Sequence, residues 1–115
     1  FPQLMGGGTE DQFLYRDCDG GYHAIWNNQS PIGDVNICGG HSYSVDGINW
    51  VYTGFAFGPN VTWTDGSITT FLRRERPHFI FAQDKCTPIA LTNAVDYGGS
   101  NGDASYAFVH KLMGK

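Results

Sequence analysis

One acid stands among three arginines in Phe71-Leu72-Arg73-Arg74-Glu75-Arg76-Pro77-His78-Phe79-Ile80-Phe81, inside a run of aromatic and β-branched residues. A strand sends alternate side chains to opposite faces, so Arg73, Glu75 and Pro77 are expected on one face and Arg74 and Arg76 on the other. Burying such a cluster costs several kcal/mol per ion unless the charges are paired. Fold stability alone seldom requires that, which makes Glu75 a candidate centre of proton-transfer chemistry. The structural alternative is an ion-pair ladder on a sheet. A second acid, Asp11, follows Glu10 at the start of another aromatic strand, where it serves either as a functional carboxylate or as an acidic strand end.

The elements that carry these acids are strands. No apolar run has helical spacing, whereas short alternating segments recur at 12–16, 22–27, 40–45, 50–55, 61–64, 67–74, 78–82, 89–92 and 106–112. Asp19-Gly20, Asp46-Gly47 and Asp65-Gly66 each separate two of them, and Asp-Gly favours the type I′ turn of a two-stranded hairpin. The stretches 29–39 and 96–104 are rich in Gly, Asn, Asp and Ser and are expected to form rim loops. An all-β sandwich, barrel or propeller fits this spacing. A weak internal echo of strand, Asp-Gly turn and strand with a nearby Trp, at 15–26, 43–50 and 63–71, favours radially repeated blades.

Composition bounds the partners. The 115 residues suffice for one modest domain, only 16% are charged, and glycine and aromatics are abundant, as tight turns and aromatic-packed strands require. A formal net charge of −4 without a basic run argues against nucleic acid. No apolar run approaches the roughly 18 residues of a membrane-spanning helix, so no membrane partner is expected. The chain begins at Phe1 and opens on a stretch ending in Gly6-Gly7-Gly8, which reads as a processed or partial product of a longer polypeptide.

Cys18, Cys38 and Cys86 match no zinc spacing and imply one disulfide plus a third thiol, with the pairing open. Asn28-Gln29-Ser30 and Asn60-Val61-Thr62 are glycosylation sequons at Asn28 and Asn60, the first followed directly by Pro31. Together these point to the secretory pathway or the extracellular space. His23, His41, His78 and His110 are scattered without metal-ligand spacing; they read as structural histidines, and neither a metal nor another cofactor is expected.

Four segments, Glu10-Asp11-Gln12-Phe13-Leu14-Tyr15-Arg16, Asp19-Gly20-Gly21-Tyr22-His23, His41-Ser42-Tyr43-Ser44-Val45-Asp46-Gly47-Ile48-Asn49-Trp50 and Arg74-Glu75-Arg76-Pro77-His78, resemble the later blades of five-bladed β-propeller glycoside hydrolases. That group comprises arabinanases, β-xylosidases and invertase-like fructosidases. The resemblance runs from Glu10 to Leu112 and implies antiparallel four-stranded blades. Residues 1–115 would then be a partial propeller of two to three blades, the C-terminal part of a longer chain. It also implies that Glu75 is the general acid and Asp11 the carboxylate that orients and tunes it, with Gln12 standing where the family has proline. By the resemblance, the family's third carboxylate would lie in a first blade, and the sequence is expected to start after that blade. Arg74, Arg76, His41 and Trp26 would line the sugar site. Ser44-x-Asp46-Gly47-x-x-Trp50 resembles the structural hairpin box that recurs in sialidase-type propellers, in which the tryptophan packs back beside the turn.

Glycoside hydrolysis needs a protonated carboxyl at the leaving oxygen and a carboxylate on the other face of the sugar. A glutamate keeps its proton near neutrality where burial or a neighbouring carboxylate opposes its charge, and arginines in direct contact have the opposite effect. Two classes of function follow. One is the C-terminal part of a glycoside hydrolase acting through Glu75 and Asp11. The alternative is a non-catalytic carbohydrate-binding or structural propeller module. Only the first needs another carboxylate within roughly 5 to 9.5 Å of Glu75. Asp34, Asp65 and Asp103 are the loop acids of this chain that could substitute. Trp26, Trp50 and Trp63 could stack on sugar rings, although large aromatics on short strands more often form core, and at Trp50 the core reading prevails. The expected partners are carbohydrate and further propeller blades, because two or three blades alone leave sheet edges unclosed.

Overall fold

The computed structural model describes residues 9–28, 39–71, 73–96 and 105–112; the backbone alone is described at residues 9, 10, 28, 55, 73, 96, 105 and 106. Within them the chain is all β, with nine strands and no helix: β1 (Thr9–Arg16), β2 (Tyr22–Asn28), β3 (Gly39–Ser44), β4 (Val51–Phe57), β5 (Asn60–Thr62), β6 (Ile68–Thr70), β7 (Arg73–Phe81), β8 (Pro88–Asp96) and β9 (Ser105–Lys111). They form a four-stranded meander in the order β1-β2-β3-β4, a β5-β6 hairpin and a three-stranded meander β7-β8-β9. All pairings are antiparallel. Among the described residues no sheet closes on itself. The loop expected at 29–39 gives Gly39 to β3, and that expected at 96–104 gives Asp96 to β8; the rest of both lies outside the described residues.

The strands expected at 67–74 and 78–82 are divided differently. β6 ends at Thr70, and β7 runs without a break through Glu75, Arg76 and Pro77. The proline is accommodated by a β-bulge: the register slips between Glu75 and His78, and Arg76 takes a φ of 51°. A bulge places two residues opposite one and so resets the alternation of side chains. Arg74 and Pro77 are therefore both buried and Arg76 is exposed, which corrects the expectation that Pro77 shares a face with Glu75 and that Arg74 shares one with Arg76.

The three Asp-Gly pairs do sit in hairpin turns, but not in type I′ turns, which need positive φ at both central residues. Only the glycines are left-handed, at φ 93° for Gly20, 78° for Gly47 and 90° for Gly66. The aspartates, or one two residues earlier at Asp17, instead bend their carboxylates back onto the turn. Asp17 Oδ1 accepts from the amides of Asp19 and Gly21, both at 2.9 Å, and Asp46 Oδ1 accepts from those of Ile48 and Asn49, both at 2.8 Å. These bonds drive the Asp46 carboxyl far below the ordinary carboxylate range. Ser44 Oγ accepts from the Gly47 amide, and Trp50 packs on the buried Ala24 and Trp26. A fourth hairpin turn, between β7 and β8, uses Lys85 at φ 66° in the place of a glycine.

β7 lies against β1 and β2. Ile25, Phe57 and Leu91 are buried between the two meanders, with Phe13, Phe79 and Leu112 around them. A second cluster, Val61, Phe71, Val95 and Phe108, packs the short hairpin onto the three-stranded sheet. A disulfide joins Cys18, in the β1-β2 turn, to Cys86, in the β7-β8 turn. The pairing left open by the sequence is thus Cys18 with Cys86, and Cys38 lies outside the described residues.

Candidate functional site

The strands carrying the two candidate acids meet at facing irregularities. β1 bulges between Glu10 and Phe13, with Asp11 at φ 54°, and β7 bulges at Arg76. Left-handed backbone is costly for residues with a side chain and is retained where surrounding contacts enforce it. Here the contacts tie β7 to β2 and to β1. Asn27, buried at the end of β2, accepts the Arg76 amide on its Oδ1 at 2.9 Å, and the Arg76 guanidinium lies 4.0 Å from the Asp11 carboxylate. Asp11 thus faces the residue that follows Glu75.

Glu75 is half-buried and in register with Ala94, on the alternation shared by His78 and Ile80 rather than that of Arg74 and Phe79. Among the described residues neither Arg74 nor Arg76 pairs with its carboxylate. Arg76 is turned to Asp11, and its side chain remains 71% exposed. Arg74 is buried: it donates to the Gly58 carbonyl and to Asn93 Oδ1, both at 2.9 Å, and its guanidinium lies over the rings of Phe57 and Phe108 at 5.0 and 5.6 Å. Asn93 in turn donates to the Glu75 carbonyl at 3.3 Å. Arg74, expected at the sugar site, is instead a strut beneath the strand that carries Glu75. The side chain of Arg73 lies outside the described residues.

Trp26 does not present a face to a ligand. It is fully buried against Ala24 and Trp50 and lies across Gly40, whose absent side chain makes room for the indole, so its sugar-stacking role is corrected to a core role. Trp63 is the half-exposed indole, donating to Thr69 Oγ1 at 2.6 Å. Asn60 is exposed and accepts from Thr70 Oγ1 at 2.6 Å, leaving its sequon accessible. The side chain of Asn28 and the candidate acids Asp34 and Asp103 lie outside the described residues. Asp65 caps the β5-β6 turn through Ser67.

His41 belongs to an arrangement the sequence did not reveal. Asp17 Oδ2 lies 2.7 Å from His23 Nε2, His23 Nδ1 lies 2.8 Å from His41 Nε2, and His41 Nδ1 hydrogen-bonds Thr53 Oγ1. Tyr15 stacks on His23 at 4.7 Å and Tyr43 meets it edge-on at 5.0 Å. The chain crosses β2, β3 and β4 because His23 pairs with Tyr43 and Ile25 with His41, which makes the two imidazoles diagonal neighbours on one face. The bonds from His23 and the Gly21 amide hold Asp17 below its ordinary range. Burial, with His23 nearby, lowers His41, and burial, with Asp17 nearby, raises Tyr15.

The sulfurs of Cys18 and Cys86 and the Asp84 carboxylate lie within 4.8 Å of one another. The disulfide accounts for that grouping, since the sulfurs are bonded to each other and Asp84 caps its own turn through Cys86 and Thr87. Among the described residues no helix is long and apolar enough to cross a membrane, and the disulfide is compatible with an extracellular location. Comparison of the chain with family models, with curated proteins and with solved structures finds no match.

Proposed function

We propose that the chain is part of a carbohydrate-active β-propeller protein, the C-terminal part of a glycoside hydrolase in which Glu75 is the general acid and Asp11 the carboxylate that positions it. The observation that carries this reading is the meeting of β1 and β7 at facing bulges, with Arg76 of one strand on Asp11 of the other. Bulges re-aim side chains and are frequent beside active sites. Among the described residues Arg74 and Arg76 are engaged elsewhere, so neither makes with Glu75 the direct ion pair that would disable an acid. The four-stranded meander of β1 to β4 has the strand order of a propeller blade, and β7-β8-β9 would supply the inner strands of another. Further blades, from the same polypeptide or a partner chain, would close the ring and bring the third carboxylate.

The experiment uses the intact protein and a panel of 4-nitrophenyl glycosides, including α-arabinofuranoside, β-xyloside and β-fructoside. Hydrolysis that falls about 100-fold or more in Glu75→Gln, with folding intact, supports the assignment. Hydrolysis that is unchanged in Glu75→Gln refutes it. Binding of the matching oligosaccharides without hydrolysis by the wild type would select the non-catalytic carbohydrate-binding module instead.

A further inference from the structure

We propose that Thr53 is an acyl-accepting nucleophile, activated through the hydrogen-bonded chain from its hydroxyl through His41 and His23 to Asp17, and that its substrates are activated carboxylic esters. The direction of the chain follows from its anchored end. Asp17 already accepts two backbone amides on Oδ1 and its carboxyl is held ionised, so Oδ2 can only accept, and His23 Nε2 must carry a proton. In neutral His23 the other nitrogen, Nδ1, is then a lone pair, and the proton between the imidazoles belongs to His41 Nε2. His41 Nδ1 is therefore also a lone pair facing the Thr53 hydroxyl, whose single proton it shares with the His41 carbonyl, reached by the same hydroxyl at 3.1 Å; activation takes the proton to Nδ1. Burial opposes charge on His41, which keeps this nitrogen available as a base.

The backbone supports access as well as direction. Tyr52 pairs with Ser42 and Gly54 with His41, so Thr53 is the extra residue of a bulge in β4, an edge strand of its sheet. Thr53 is exposed, and Gly54, at φ 124°, leaves open space where a side chain would begin. An ester can thus approach the hydroxyl on the side away from His41. The nucleophile, the base and the group that orients the base stand in the relation that activates hydroxyls elsewhere, with a second imidazole interposed.

In the step itself, Thr53 Oγ1 attacks the acyl carbon and forms the new C–O bond while the bond to the leaving oxygen breaks. The leaving group departs with that electron pair as an oxyanion. The Thr53 proton passes to His41 Nδ1, and the resulting charge is shared as His41 Nε2–H moves toward His23 Nδ1 and His23 Nε2–H toward Asp17. No oxidant, reductant or metal enters the balance.

The test treats the intact protein with 4-nitrophenyl acetate, follows nitrophenolate release and locates the adduct by peptide mass spectrometry. The expected result is one acetyl group on Thr53, absent in Thr53→Val and formed about 100-fold more slowly in His41→Gln. Asp17→Asn is the sharpest variant. Its side-chain oxygen can still cap the turn, but its amide would donate to His23 Nε2 and reverse every proton in the chain, so labelling should fall as far as in His41→Gln while thermal unfolding still shows a folded protein. Acetylation confined to lysines or the N-terminus of the wild type overturns the proposal. So does labelling of Thr53 at the wild-type rate in either His41→Gln or Asp17→Asn.

Discussion

Replacing Cys18 and Cys86 together by serine should lower stability by about 4 kcal/mol. The two sulfurs close a loop with a sequence separation of 68, and the chain-entropy relation assigns such a cross-link roughly 15 cal/mol/K, or about 4 kcal/mol at 25 °C. At about 2.1 cal/mol/K per residue, the 115 residues unfold with an entropy near 0.24 kcal/mol/K, so the melting temperature should fall by about 17 °C. The effect is large because the bond ties the β1-β2 turn to the β7-β8 turn and so restricts the separation of the two meanders in the unfolded chain. Calorimetry of the wild type, the wild type treated with dithiothreitol and the double variant tests the reasoning. The last two should melt together, well below the first. A double variant melting within about 3 °C of the oxidised wild type would show that the cross-link does not constrain the unfolded chain, and would refute the calculation.

Other perturbations have equally definite outcomes. Burial lowers His41 and His110, so protonation favours the unfolded chain: their contribution is complete above the unfolded value of about 6.5 and is lost as the pH falls through their lower folded values. Urea midpoints should therefore already decline below about pH 6.5, before the turn aspartates Asp17, Asp46, Asp65 and Asp84, which are lowered from 3.8, begin to lose theirs at still lower pH, and His41→Gln should flatten the upper limb. Gly40→Ala should cost about 1 to 3 kcal/mol in urea unfolding, because the added carbon would sit 2.6 Å from the buried Trp26 ring, which has no room to move. Arg74→Ala should cost about 2 to 5 kcal/mol in the same assay, since it leaves the Gly58 carbonyl and Asn93 without their charged donor.

Much of the strand pattern was legible because it rests on local signals. Alternation and the three Asp-Gly pairs located most strands, and the tryptophan of the Ser44 to Trp50 box, read as core, packs half-buried against Ala24 and Trp26. The errors lie where local signals compete with distant contacts. Pro77 reads as a break in a strand, but Asn27, far away in sequence, captures the Arg76 amide and holds a bulge that lets the strand continue. Arg74 reads as a surface or site cation, yet its partners Gly58 and Asn93 are 16 and 19 residues away and become neighbours only once the sheets pack. The turn at Lys85 carries no glycine to announce its left-handed residue. His23 and His41 are each the second or third residue of a strand, and their juxtaposition depends on a register that no single segment specifies. Equal parity of the two histidines on paired strands was the available clue.

Leaving-group dependence of hydrolysis shows whether Glu75 delivers a proton to the departing oxygen. The intact protein and its Glu75→Gln variant would be compared on two glycosides of whichever sugar the wild type cleaves, one with an alkyl leaving group and one with 2,4-dinitrophenolate. An alkoxide cannot depart without a proton, whereas dinitrophenolate can, so the account predicts a loss of about 10²- to 10⁴-fold on the first and little loss on the second. Equal losses on both, or none on either, would contradict the assignment of Glu75 as the proton donor.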